Sequence, residues 1–421
     1  MDDKEALAYL DGARWFGAEP SLRRIQQLLA ALGDPQKKLK FVHIAGTNGK
    51  GSCAAMLASV LRAAGCRTGL YTSPYLYRFS ERMQVNGEEI TPDALSRCVA
   101  AVRDKAEKMG EHPTEFELIT ATAMLWFVEE ACDIVVLEAG LGGRFDATNV
   151  IESPECAVIM NIGLDHTRIL GDTLEAIAAE KAGILKPGAP CVAYEQSAGG
   201  LNVIRRRCDE LSCSLTVPHF DALEVEFDSL EGQVFSYCGD QYALSLLGAH
   251  QRRNAAVVIE IARVLASRGW NIDQDALEHG LYAASWPGRF EVCADEPYFI
   301  VDGGHNPQCA EAVCESLVHY FPDTRRVLLL GVLRDKDYAG MAAILDRAAD
   351  EYVCTAPESP RALPPEALAD VLKGFGKPVT VCSSIADAVF TARELAGSEG
   401  MVCAAGSVYL AGSVRYQLGL Y

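Results

Sequence analysis

The sequence predicts an α/β protein: a doubly wound, mostly parallel sheet domain built around a P-loop, followed by a smaller Rossmann-like α/β domain. Three observations predict it. An apolar, β-prone run from Leu39 to Ala45 meets the glycine-rich turn Gly46-Thr47-Asn48-Gly49-Lys50-Gly51-Ser52, and a helical pattern with Ala55, Met56, Val60, Leu61 and Ala64 on one side follows. Short β-rich runs then alternate with longer amphipathic ones, as strands do with crossover helices. After Trp286-Pro287-Gly288-Arg289, where proline and glycine interrupt both periods, a second such series begins. The boundary falls near residues 284–292, giving domains 1–286 and 287–421.

The elements follow in order. Lys4 to Tyr9 and Ser21 to Leu32 read as helices, the second closed by Gly33. The strand 39–45 and its glycine turn lead into the third helix. Thr68 to Tyr71 is a short strand, and Thr91-Pro92-Asp93 opens a helix to Lys108. Phe116 to Ala131 is a helix, Asp133 to Glu138 a strand and Cys156 to Ile162 another. Asp172-Thr173-Leu174-Glu175 has capping-box spacing and opens a helix ending near Ala182-Gly183, after which Pro190 to Ala193 resumes the sheet. Between Cys213 and Leu247 the runs shorten and alternate (Leu223 to Phe227, Val234 to Tyr237), which suits a small antiparallel patch. The second domain's strands are Tyr298 to Asp302, Val327 to Gly331, Glu351 to Thr355, Val379 to Cys382 and Met401 to Ala404.

Composition narrows the class. A chain of 421 residues that is 49% hydrophobic buries a large core. A net charge of −19 with no basic block argues against a nucleic-acid partner. Fifteen cysteines are scattered without a C-x-x-C pair, and Cys132, Cys156, Cys354 and Cys403 sit in apolar runs, so buried reduced thiols are expected. The charged start Met1-Asp2-Asp3-Lys4-Glu5 has no signal-peptide pattern, and no apolar run approaches ~18–20 residues. A cytoplasmic protein without a membrane partner is expected, and a monomer, since no dimerisation helix stands out.

The glycine turn carries chemistry first. Glycines turn backbone N–H groups inward, a helix N-terminus adds partial positive charge and a lysine reaches terminal phosphates. The loop departs twice from G-x-x-x-x-G-K-[ST]: Ile44 holds the first glycine position, and Gly51 precedes the hydroxyl of Ser52. An ordinary strand-to-helix turn is the alternative. Glu138 ends a strand beside this loop, where such folds hold magnesium, or it caps the turn Ala139 to Asp146. Asp165-His166 and Thr72-Ser73-Pro74 follow other strands at the same edge. Lys181 in the last turn of its helix complements the helix dipole. His250-Gln251-Arg252-Arg253-Asn254 starts a helix and contacts a base or caps it. Arg289 lies in the hinge, and Asp302-Gly303-Gly304-His305-Asn306-Pro307 forms either a polar pocket or an Asx-turn.

Together these segments resemble the folylpolyglutamate synthase and dihydrofolate synthase family of Mur-type ATP-dependent amide ligases. The carrying residues are Gly46 to Ser52, Thr72-Ser73-Pro74 with Glu81-Arg82, Glu138 to Asn149, Leu164-Asp165-His166, Glu180 to Ile184, His250-Gln251 with Asn254-Ala255, Pro287-Gly288-Arg289, Asp302 to Pro307, and Gly406-Ser407. They run in family order along essentially the whole chain. Both P-loop departures disappear, because the family's loop is Gly-Lys-Gly-Ser. Two small departures remain: Gly304 replaces the usual alanine, and Tyr75 stands where a histidine often follows Ser-Pro.

The resemblance implies roles. Gly49, Lys50, Gly51 and Ser52 would hold the triphosphate of ATP, with Asn254, Arg289 and Asp302 as further ATP contacts. Ser73, Glu138 and His166 would bind two magnesium ions. Lys181 matches the family's carbamylated lysine, which displaces the dipole-only reading. His305 and Ser407 would bind the incoming L-glutamate, and Glu115 and Phe116 lie toward the pterin side. The implied reaction phosphorylates a carboxylate of a reduced folate or dihydropteroate, and the glutamate amine then displaces phosphate. Extension of reduced folate at its γ-carboxyl, synthesis of dihydrofolate, or both, are the activities in view. Another Mur-type ligase, a P-loop kinase or NTPase switch, and a nucleotide-binding regulator are the alternatives.

Overall fold

The computed structural model describes residues 2–13 and 20–420. The chain divides into two compact units. The first holds the chain up to Tyr75, Phe79–Ala222 and Asn254–Ala284; the second holds Leu76–Arg78, Leu223–Arg253 and the chain from Ser285. The antiparallel excursion, placed before the 286/287 boundary by sequence, therefore groups with the second unit.

The first unit is built on an eight-stranded sheet in the order β4-β3-β2-β5-β1-β6-β7-β8. Its strands are β1 (Phe41–Ala45), β2 (Thr68–Tyr71), β3 (Met83–Val85), β4 (Glu88–Glu89), β5 (Ile134–Glu138), β6 (Cys156–Ile159), β7 (Cys191–Ala193) and β8 (Leu215–Thr216). All pairings are parallel except the β2-β3-β4 edge. Every residue of β1, β5 and β6 is buried, which is why these strands read as continuous apolar runs. The helices are α1 (Asp3–Asp11), α2 (Arg23–Ala31), α3 (Lys50–Ala63), α4 (Pro92–Ala106), α5 (Glu115–Glu129), α6 (Thr167–Leu170), α7 (Leu174–Lys181), α8 (Ala198–Leu211), α9 (Ala249–Ser267) and α10 (Gln274–Tyr282). Phe41, Tyr71, Val135 and Leu137 share one core with Leu28, Val99 and Phe127 of α2, α4 and α5. Ala45, Ile159, Cys191 and Ala193 share another with Ile177 and Ile204 of α7 and α8.

Local chemistry sets the boundaries. Thr91 accepts from the Ala94 N–H and Pro92 occupies the first turn of α4. Thr114 and Glu117 form a reciprocal capping box, so α5 starts at Glu115, one residue earlier than expected. The buried Glu117 carboxylate also takes Arg24 Nε at 3.1 Å, joining α5 to α2. The N-cap of α7 is Thr173, which accepts from Ala176, so no capping box forms on Asp172 and Glu175. The strand expected to reach Ile162 stops at Ile159, because the following residues turn to bond the glycine loop.

In the second unit, β9 (Leu223–Ser229), β10 (Gly232–Tyr237) and β11 (Asp240–Leu244) form an antiparallel sheet in the order β11-β10-β9. A six-stranded sheet has the order β12-β13-β17-β14-β15-β16, with β12 (Glu291–Asp295), β13 (Tyr298–Val301), β14 (Arg326–Leu330), β15 (Glu351–Cys354), β16 (Val379–Val381) and β17 (Met401–Ala405). Its helices are α11 (Pro307–Tyr320), α12 (Tyr338–Leu345), α13 (Pro365–Lys373), α14 (Ile385–Ala396) and α15 (Val408–Gln417). The pleat sorts side chains between two cores: Ile300, Leu328, Tyr352 and Cys403 lie with α11 to α13, while Val301, Leu329, Val353 and Val402 lie with α14 and α15. Thus the chain leaves β13 and its neighbour β17 toward opposite faces, which opens a crevice at their carboxyl ends.

A buried ion pair ties the small sheet to the larger one. Arg252 Nη1 lies 2.6 Å from Asp228 Oδ2, and Tyr320 of α11 donates to Asp228 Oδ1 at 2.5 Å. All fifteen cysteines are free thiols and most are buried, including Cys132, Cys156, Cys354 and Cys403. Cys238 is the exposed one, in the β10–β11 turn. Among the described residues, no helix is long and apolar enough to cross a membrane.

Candidate active site

In the first unit the site gathers at the carboxyl ends of β1, β5 and β6. The strand register places Ile44 beside Glu138 and Ala45 beside Ile159, so the three exits are level. Gly49 stands at φ 81° as the residue before α3, a conformation that favours glycine. A Cβ there would lie 2.8 Å from Asn254 Oδ1, so Asn254 closes directly over the loop. Thr47 and Asn48 both donate their N–H groups to Asn161 O, at 2.7 and 3.3 Å. The Thr47 hydroxyl donates to Gly163 O at 3.1 Å and accepts from Gly163 N at 3.0 Å. The glycine loop is therefore fastened to the segment that leads to His166. Gly51 and the buried Ser52 fill the first turn of α3.

Lys50 and Glu138 meet at this edge. Lys50 Nζ is 3.8 Å from Glu138 Oε1 and donates to Thr47 O at 3.3 Å. Glu138 is 4% exposed, and its Oε2 accepts from Ser73 N at 3.2 Å. Lys181 is equally buried, and its Nζ donates to Gly46 O at 2.8 Å. Burial and the nearby Lys50 charge pull the Lys181 amine down to about 7, against the opposing pull of Asp165 and Asp146. The amine thus points into the P-loop and not at the carbonyls of its own helix end.

His166 adopts a left-handed conformation before α6, its N–H donates to Asp165 Oδ1 at 2.8 Å, and its Nε2 is 3.9 Å from the same oxygen. Asp146, missed by sequence as a separate element of the site, is buried and accepts from Leu141 N and from the amide and hydroxyl of Thr148. That holds the Gly140–Gly143 loop beside Glu138. Phe116 presses on this loop: a Cβ at Gly140 would come within 2.6 Å of Phe116 Cζ. Glu115 is raised above the usual carboxylate range by burial, opposed by Arg82.

In the second unit the expected residues gather at the β13/β17 crevice. Asp302 Oδ2 accepts from Phe290 N at 2.9 Å and Oδ1 from Gly304 N at 2.6 Å. Burial raises its carboxyl, and the Arg289 guanidinium opposes the rise. A Cβ on Gly303 would fall 2.5 Å from Arg289 Nη1, so Arg289 lies directly on this turn. His305 Nδ1 donates to Gly303 O at 3.1 Å, which fixes the ring. Ser407 is buried and caps α15, accepting from Tyr409 N at 3.1 Å. His250 is half-buried beside Arg252, Arg253 and Arg289, and desolvation with those charges holds it down at about 4.

The donor chemistry suits a hard cation. Among the described residues no three His, Cys, Asp or Glu side chains gather as an all-protein metal cage. Magnesium takes one or two carboxylates and completes its shell with water and phosphate oxygens. A single buried carboxylate at a strand tip next to the P-loop fits that pattern.

Comparison with known proteins agrees with this layout. Residues 44–262 match the Mur ligase middle domain and 288–408 the Mur ligase, glutamate ligase domain. The chain is 36% identical over 427 residues to the dihydrofolate synthase/folylpolyglutamate synthase of Bacillus subtilis, covering 99% of both chains. It is 36% identical over 433 residues to the folylpolyglutamate synthase of Lacticaseibacillus casei, again covering 99% of each. The structure of Mycobacterium tuberculosis folylpolyglutamate synthase complexed with ADP and AMPPCP superposes with a TM-score of 0.88 at 34% identity, covering 99% of both chains. Escherichia coli FolC in complex with DHPP and ADP gives 0.89 at 30% identity, covering 100% of this chain and 98% of that one. The chain therefore belongs to the folylpolyglutamate synthase/dihydrofolate synthase family of Mur ligases and is an ATP-dependent ligase of that family.

Proposed function

We propose that this enzyme joins L-glutamate to the γ-carboxyl of a reduced folate, and also to dihydropteroate, through an acyl phosphate, releasing ADP and phosphate. The observation that carries this reading is the convergence of Lys50, Glu138 and Lys181 on one P-loop, in a chain similar over its full length to such ligases.

A carboxylate is a poor electrophile, so its oxygen first takes the γ-phosphoryl group of ATP. Gly49, Gly51 and Ser52 cradle the phosphates, and Lys50 neutralises charge as the phosphoryl group transfers. Asn254, Arg289 and Asp302 are the further nucleotide contacts. Glu138, Ser73 and His166 would hold two magnesium ions, whose charge would neutralise the phosphates. Lys181, with an amine near neutrality, accepts carbon dioxide as a carbamate that orients this cluster. His305 and Ser407 hold glutamate, whose neutral amine attacks the acyl carbon; the tetrahedral intermediate collapses with loss of phosphate. Glu115 and Phe116 line the pterin side. The enzyme acts in the cytoplasm as a monomer.

The test is product mass spectrometry with ATP, magnesium and glutamate, run separately with dihydropteroate and tetrahydrofolate. Single-glutamate adducts on both substrates are expected. An adduct on one alone removes the other activity, and none on either overturns the reading.

A further inference from the structure

Outside the site, a groove of about 410 Å³ lies between α8 and the turn that follows α7, lined by Arg144, Ala179, Ala182, Gly183, Val203, Arg206, Arg207 and Glu210. Val203, Arg206, Arg207 and Glu210 follow the i, i+3, i+4, i+7 spacing of one helix face, so α8 presents them as a stripe ~10 Å long. Three guanidinium groups and one carboxylate share this groove in a chain whose net charge is −19. Arg207 pairs with Glu210 at 3.0 Å, and Arg144 Nε stands 3.7 Å from Glu180. Arg206 is exposed and has no ion pair among the described residues.

The base of the groove is preorganised. Arg144 N donates to Glu180 O at 2.9 Å, and Asn149 Nδ2 donates to both Arg144 O and Gly183 O, at 2.9 and 3.1 Å. A Cβ on Gly183 would meet the Arg144 Cβ at 2.5 Å, so glycine lets the two backbones touch. Apolar Ala179, Ala182 and Val203 separate the charges, which suits an anion with methylene groups between its carboxylates. Ala182 and Gly183 directly follow Lys181, whose amine points away into the P-loop.

We propose that this groove binds an oligo-γ-glutamyl chain, a flexible polycarboxylate of the kind the enzyme's own product carries, at a site separate from the reacting carboxylate. The proposal rests on the glutamate-ligase reading for its choice of ligand. Arginine forks also take phosphate, so inorganic tripolyphosphate is the competing source of the same chemistry.

The test is calorimetric titration of the intact enzyme, saturated with ADP and L-glutamate, with tetra-γ-glutamate and separately with tripolyphosphate. Tetra-γ-glutamate should bind with a salt-dependent affinity, and Arg206→Glu should weaken it about tenfold or more while kcat on the short substrate is unchanged. Arg206→Lys, keeping charge without the fork, should recover part of the affinity. No binding, equal binding by Arg206→Glu, or binding of tripolyphosphate alone overturns the proposal. Arg206-dependent binding in a protein that forms no glutamate adduct leaves the groove standing and removes the ligase reading instead.

Discussion

Lys181 Nζ donates to the Gly46 carbonyl at 2.8 Å, across 135 residues of sequence. The contact seats a buried amine on the glycine loop between β1 and α3, and burial with Lys50 holds that amine at about 7. Carbon dioxide adds to the neutral amine, so the carbamate should be populated above about 7 and lost as pH falls through it, when the proton competes. Carbon-13 NMR with labelled bicarbonate should show one carbamate resonance with this pH dependence, absent from Lys181→Ala. The same variant should lose about 10–100-fold in rate. Near-normal turnover by Lys181→Ala would remove the residue from the site.

Glu138 faces Lys50 at 3.8 Å and Ser73 N at 3.2 Å from its two oxygens. Glu138→Ala should lower magnesium-dependent turnover by on the order of 10²–10³-fold, read as kcat over a magnesium titration. If raised magnesium leaves the variant as active as the parent, Glu138 is not a ligand.

His43 lies at the centre of β1, fully buried, with Nε2 2.8 Å from Thr148 Oγ1. Thr148 gives its own hydroxyl hydrogen to Asp146, so His43 Nε2 is the donor. Burial holds the imidazole at about 3, below its ordinary 6.5. A depressed pKa means that the unfolded chain binds the proton first. Stability is therefore present above about 6.5 and lost as pH falls toward about 3, by about 2 kcal/mol at about pH 5. Thermal unfolding against pH should show this slope, and His43→Gln should flatten it. An unchanged slope in the variant would assign the acid sensitivity to other groups.

Arg252 and Asp228 form a pair with side chains only 11% and 10% exposed. Arg252→Ala leaves the Asp228 charge buried and should cost the second unit about 3–5 kcal/mol. Hydrogen exchange of β9, β10 and α11 should report it. A loss below about 1 kcal/mol would class the pair with ordinary surface bridges.

Legibility in the sequence followed physics. Strands buried on both faces, such as β1 and β5, announced themselves as apolar runs within two residues of their bounds. The short strands β3, β4 and β8 did not, because two or three residues carry no period. The strand end at Ile159 was hidden because Asn161 O accepts from Thr47 and Asn48 while Gln196 bonds Met160 and Ile162, and these partners are remote in sequence. The P-loop, Glu138 and Asp302 were visible as strand-tip residues. Lys181 was not visible from local spacing, since only the fold brings Gly46 to its amine. The capping box of Thr114 and Glu117 and the bond from Glu117 to Arg24 were not legible either, since Arg24 lies on a distant helix.

Cys238 alone among the thiols stands in the open, at the β10–β11 turn. Burial holds Cys53, Cys98, Cys156 and Cys293 well above the ordinary thiol range, where thiolate is scarce at neutral pH. A brief maleimide reaction therefore attaches a fluorophore at that turn ahead of these sites, without removing any native cysteine. The second unit thus brings its own labelling handle, and the surroundings of its small sheet become observable by fluorescence in the unaltered chain.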